Sequence, residues 1–248
     1  MQGTLENYRA TLAQVGWFIP PYITMSYLDH VCCMIREQGI SSRQSDLERV
    51  LAITYSTANL SAMVTERYPI TPFVQDYKVI ISEAVQAHFS SLDHVAVSGL
   101  MPAIEGVARK LAEDRKVGHE YIRQTFRNLA DDCKRDLIEN ERGDVGELVS
   151  MLDSFRDFAD TKLYIRSEKY THSDKTNRNG ILHGSYSDED YGKPINFYKA
   201  IAAIDFLCLV SAFKASVSWM APSPTEKSKL LASYYISCQQ MAMQNPLK

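Results

Sequence analysis

Arg178, Asn179 and His183 fall within one short string, Asn177-Arg178-Asn179-Gly180-Ile181-Leu182-His183-Gly184. Their types suit phosphodiester chemistry. An arginine is always charged, and its planar fork matches phosphate oxygens. A histidine titrates near neutrality and suits proton transfer. RNA carries its own nucleophile, the 2′-hydroxyl. Its cleavage needs a base for that proton, a cation for the crowded phosphate and an acid for the leaving 5′-oxygen. No metal is obligatory. One arginine and one histidine per chain are thin for all three roles, and a two-fold pairing of chains would double them. Geometry sets a condition. Positions five apart lie about 140° apart around an ideal helix. Either Arg178 sits at a helix start and its side chain curls back, or each arginine meets the histidine of a second copy.

Competing motifs are absent from the sequence. There is no G-x-x-x-x-G-K-[ST], G-x-G-x-x-G or G-x-S-x-G string, so phosphate-binding loops and nucleophile elbows of those kinds are excluded. His119-Glu120 is not followed by x-x-His, and the six histidines and five cysteines do not alternate at zinc-finger spacing. No metal and no cofactor is expected. Asp188-Glu189-Asp190 reads as a solvated acidic loop.

The string R-N-x-x-x-H-G resembles the R-x(4–6)-H motif of the HEPN superfamily, in which a polar residue often follows the arginine, as Asn179 does here. Arg166 and His172 meet the bare pattern too, but only Arg178 and His183 carry the longer string, between a polar loop and an apolar helix. A second segment, Gly99 to Arg109, resembles the L-x-P-x-I-E-x-x-x-R stretch of bacterial proteins that carry R-N-x-x-x-H-G further on. The resemblance implies an α-helical bundle that dimerises, with the Arg and His of each copy facing across a cleft. It implies a metal-independent endoribonuclease of bacterial toxin, stress or phage-defence systems, with RNA as substrate and scope for a regulatory protein partner. Arg178 and His183 are then the catalytic pair, Asn179 a polar donor or a helix cap, and Glu105 a carboxylate that aims Arg178. Arg109 is a supporting residue, or else the i, i+4 partner of Glu105. Family toxins modified on tyrosine carry H-x-Y, whereas Tyr186 gives H-x-x-Y here. The alternatives are a catalytically inactive HEPN-like binding or scaffold module, and a domain that takes a nucleotide or small ligand in the same cleft.

These residues need a scaffold, and the pattern predicts helices almost throughout. Helices are expected over about 4–15, 24–38, 43–67 and 72–89, the last opened by Thr71-Pro72. Ser90 or Ser91 is expected to cap a fifth, to about Asp114. Others follow over about 118–140, 144–164, 177–184, 195–219 and 225–243. The expected class is all-α. A helical N-terminal part of unknown role, 1–90, is expected to precede a HEPN-like domain, 91–248.

Composition bounds the rest. The 248 residues are 45% hydrophobic and 23% charged, with a formal charge of -3. That excludes a disordered chain and a protein that holds nucleic acid by net charge alone. Basic residues from Arg109 to Arg135 alternate with acids and read as a solvated face. The cysteines read as reduced thiols, and the chain as cytoplasmic with no membrane span. The apolar run 200–213 is short and holds Asp205, so it reads as a core helix.

Overall fold

Among the described residues, 4–37, 43–141 and 143–245 of a computed structural model, there are eleven α-helices and no strand. They are α1 (Thr4–Ala13), α2 (Met25–Glu37), α3 (Arg43–Thr54), α4 (Thr57–Ala62), α5 (Lys78–Phe89), α6 (Asp93–Asp114), α7 (Ile122–Asn140), α8 (Val145–Phe158), α9 (Arg178–Leu182), α10 (Pro194–Ala212) and α11 (Glu226–Met243). The all-α expectation holds.

Most ends follow from local chemistry. Pro194 opens α10, and the Asn196 side chain accepts the Lys193 amide at 3.1 Å. Thr225 caps α11 by accepting from Ser228 N, as a hydroxyl at the N-cap should. Four ends differ from expectation. The helix expected over 43–67 is interrupted because Ser56 takes an extended backbone and caps α4, while Asn59 Nδ2 holds the Thr54 carbonyl at 2.9 Å. Thr71-Pro72 does not open a helix. Phe73 has φ +68, a 3₁₀ turn covers Val74–Tyr77, and Tyr77 seats its ring on Gly106 of α6, where a Cβ would collide with it. The fifth helix starts from Leu92 with no side-chain cap, rather than from Ser90 or Ser91. α10 stops at Ala212, where Trp219 folds back and its Nε1 donates to the Ala212 carbonyl at 3.2 Å.

α10 is the axis of the core. It is apolar on every side, and a helix of that kind has to be surrounded. All but one of its residues are buried. By length and composition it could cross a membrane, but the protein encloses it completely. α6 packs along it, α3 crosses it, and α5 and α7 flank α6. A ring cluster ties in the N-terminal segment: Phe18 lies 4.9 Å from Phe155 and from Phe158, and Phe155 stacks on Phe206 of α10 at 4.1 Å. Each ring fully withdrawn from water contributes about 1.5–3 kcal/mol. Residues from both sides of position 90 share this single core.

Candidate functional site

The segment 159–177 runs over the surface between α8 and α9, and a buried polar knot holds it. Lys199 of α10, with no exposed surface, donates from Nζ to Asp174 Oδ2 at 2.8 Å and to the Val15 carbonyl at 3.0 Å. Tyr170 and Thr176 hydroxyls donate to the same carboxylate at 3.0 and 2.5 Å. Asn196 Nδ2 donates to the Asp174 carbonyl and, at 2.9 Å, to Thr176 Oγ1. The Lys199 ammonium and the hydroxyl donors hold Asp174 below the usual carboxylate range, against the opposing push of burial. A buried charge needs such company.

Asn177 starts α9. It is wholly buried, its Oδ1 accepts from Gly180 N at 2.8 Å, and its Nδ2 donates to the carbonyls of Lys162 and Ile165 at 2.8 and 2.9 Å. The N-cap is therefore Asn177 and not Asn179. Asn179 instead donates from Nδ2 to the Ile165 carbonyl at 3.0 Å and more loosely to Tyr164. Gly180 leaves room for the Tyr186 ring, which a Cβ would strike.

Arg178 is the first residue of α9, and His183 follows its last. α9 is only five residues long, and His183 (φ −96°, ψ 6°) closes it as the C-cap, its N–H bonded to the Asn179 carbonyl. Arg178 Nη1 donates to His183 Nε2 at 2.9 Å within one chain. This is the curled-back arrangement, reached without a second copy. A guanidinium has no lone pair to offer, so Nε2 must be the unprotonated imidazole nitrogen in this contact. On its other edge Arg178 meets Glu105 of α6, with Nε to Oε1 at 2.5 Å and Nη2 to Oε2 at 3.4 Å. Arg178 and Glu105 side chains are 21% and 15% exposed, while His183 is exposed. The pair is therefore oriented from beneath by a part-buried carboxylate and presents its imidazole to solvent.

The other candidates separate from this centre. Arg109 does not pair with Glu105. Its Nη1 donates to the carbonyls of His119 and Glu120 at 2.7 and 3.3 Å and closes the turn after α6. Arg166 is exposed. His172 turns inward over Gly16, and burial together with Lys162 and Lys199 lowers its pKa to about 4. That placement separates the second Arg/His match from the first. The basic residues of α6, α7 and the turn between them are mostly neutralised: Lys110 by Asp76, Arg115 by Asp132, Arg123 and Arg127 by Asp160, Lys134 by Asp153. They form a paired face. Asp190 accepts from Ser187 N and Oγ at 2.9 and 3.1 Å and closes the acidic loop on itself. Among the described residues no group of three or more His, Cys, Asp or Glu side chains could hold a metal ion.

Tyr164 is the residue that sequence reasoning missed. It is 6% exposed, and its hydroxyl is buried without a hydrogen-bond partner among the described residues. Burial and the Glu105 charge push its pKa well up, while Arg178 and Arg109 pull the other way. It belongs to the floor of the site. No spacing links it to Arg178, so the sequence offered no signal.

Comparison with protein-family models, with curated proteins and with solved structures finds no match. The reading of this site therefore rests on its own chemistry.

Proposed function

We propose that the protein is a metal-independent endoribonuclease of the HEPN type, acting as a homodimer. The observation that carries this reading is the 2.9 Å contact between Arg178 and an exposed His183, with Glu105 gripping the arginine from below. In this reading the scissile phosphate takes up the Arg178 Nη1 donor. One imidazole accepts the 2′-hydroxyl proton as the 2′-oxygen bonds to phosphorus. The bond from phosphorus to the 5′-oxygen breaks, and the imidazolium of the second copy protonates that oxygen. The products are a 2′,3′-cyclic phosphate and a 5′-hydroxyl. Glu105 fixes the guanidinium plane, and Asn179 ties α9 to the 164–165 strap, a positioning role rather than a direct contact.

One observation favours a second reading, a non-catalytic helical binding or scaffold module. The N–H groups of Arg178 are already divided between Glu105 and His183, as they would be in a purely structural cluster. The experiment is incubation of the purified protein with mixed RNA in EDTA, beside His183→Ala. Cutting that survives chelation and falls about a hundredfold or more in the variant supports the enzyme. No cutting, or equal cutting by the variant, leaves the module. Light scattering adds the oligomeric state, which the enzyme reading requires to be a dimer.

A further inference from the structure

α10 carries one acid, Asp205, and the proposed chemistry does not use it. Asp205 is 3% exposed and borders a cavity of about 140 Å³ between α10, α4 and the segments around Pro21 and Pro222. Tyr68 donates to Asp205 Oδ1 at 2.8 Å. Among the described residues no basic side chain lies within ion-pair distance of this carboxyl. Arg67 is the cation whose charge acts on it, opposing the effect of burial, and its Nε is buried without a partner among the described residues. Its two terminal nitrogens donate to the carbonyls of Ser218 and Met220, and its guanidinium lies 5.4 Å over the Tyr22 ring.

The walls supply the rest of a recognition site. Tyr22 and Tyr55 line the cavity, and the hydroxyls of both are buried with no partner among the described residues. Tyr55 itself is only 4% exposed, so its hydroxyl has no ready access to bulk water. Leu60, Met63 and Pro222 complete an apolar lining. Native interiors rarely leave two buried hydroxyls unpartnered beside a carboxyl that accepts a single hydrogen bond. A cavity near 150 Å³ has room for one benzene-sized ring.

We propose that this cavity binds a small organic cation, an amine or amidinium carried on a single ring, with Asp205 as its counter-ion. The chemistry is specific. The cation's N–H groups would donate to the Asp205 oxygen that Tyr68 does not use and to the Tyr22 and Tyr55 hydroxyls. The ring would fill the apolar lining, and the positive charge would sit against aromatic walls, which favour cations. An anion would meet Asp205 itself. A neutral ring would add no charge-assisted bond to the carboxyl.

The groups facing Asp205 are Tyr22, Tyr55, Tyr68, Cys208 and Arg67. The tyrosines and the thiol are pushed upward by burial and stay neutral near pH 7. Burial raises the Asp205 carboxyl to about 7. Cation binding would therefore draw off its proton, and affinity would rise with pH until the carboxyl is ionised in the free protein.

The test uses benzamidine and benzylamine as probes and benzyl alcohol as the uncharged control, on the full chain, by calorimetry and thermal shift. Wild type is expected to bind benzamidine, more tightly at about pH 8 than at about pH 6. Asp205→Asn, which keeps shape and can still accept from Tyr68, is expected to lose at least about tenfold in affinity for the cations. Its response to benzyl alcohol should be unchanged. Tyr55→Phe removes one hydroxyl and keeps the ring. It should weaken benzamidine several-fold and serves as the second variant should Asp205→Asn not fold. Equal benzamidine binding by wild type and both variants would overturn the proposal. So would the absence of heat and of stabilisation at about 10 mM probe, a concentration that only very weak binding would escape.

Discussion

Replacing Lys199 by Met tests whether the polar knot holds the site in place. Met keeps an unbranched stem of similar reach and adapts to irregular space, so the change removes charge and donors rather than volume. Two bonds are lost, to Asp174 at 2.8 Å and to the Val15 carbonyl at 3.0 Å. Asp174, 2% exposed, then keeps only the hydroxyls of Tyr170 and Thr176. Stranding one member of a buried pair costs about 3–5 kcal/mol, a large share of the about 5–15 kcal/mol that holds most domains together. For a chain of this size the melting temperature should fall by about 6–20 °C. Urea unfolding near pH 7 measures the loss directly. Asp174→Asn alone should also destabilise, while Lys199→Met with Asp174→Asn should cost less than the sum of the two, because no charge is left stranded. There is a pH signature as well. Asp174 has a lowered folded pKa, so its contribution is present above the unfolded value near 4 and is lost as pH falls below it. A loss under about 1 kcal/mol for Lys199→Met, or simple additivity in the double variant, would refute this account of the knot.

Three further outcomes follow from the same geometry. Gly180→Ala should displace the Tyr186 ring from α9 and lower stability by about 1–3 kcal/mol, read by urea unfolding and by loss of Tyr186 side-chain order in NMR spectra. Glu105→Gln keeps the shape but removes the charge that orients Arg178. On the nuclease reading it should lower the cleavage rate about tenfold or more, with unfolding free energy nearly unchanged, and an unaltered rate would remove Glu105 from the site. The lowered pKa of His172 keeps it neutral in the folded protein, whereas the unfolded chain takes up a proton below about pH 6.5. Stability should therefore decline as pH falls from about 6.5 towards 4, and His172→Gln should flatten that part of the profile.

Much of the architecture was readable from patterning. Three- and four-residue apolar steps mark α6, a continuous apolar run marks α10, and Pro20-Pro21 marks the break after α1. The misplaced boundaries share a cause. Ser56, Phe73 and Trp219 end or delay helices through bonds and contacts that propensity does not weigh, a cap in the first case and tertiary packing in the other two. The knot was invisible for a related reason. A lysine beside an apolar run reads as an exposed end, and only the folded chain brings Asp174 to it from 25 positions away. The site divides the same way. Arg178 and His183 were singled out by residue type and spacing and Glu105 by the resemblance, but Tyr164 was not, since only its position in the fold brings it near them.

By itself the sequence determined that the chain is helical, that the 200–213 run lies inside, and that an arginine and a histidine suited to a phosphate stand five residues apart. Those are properties of short windows, written in periodicity and side-chain type. Only the tertiary structure decided which of two Arg/His matches meets, that Nη1 reaches Nε2 within one chain, and that Asn177 rather than Asn179 caps α9. It also decided which acids are paired and which, like Asp205, are left facing a cavity. Those outcomes depend on desolvation and on distances between residues far apart in the chain, and neither quantity exists until the chain has folded.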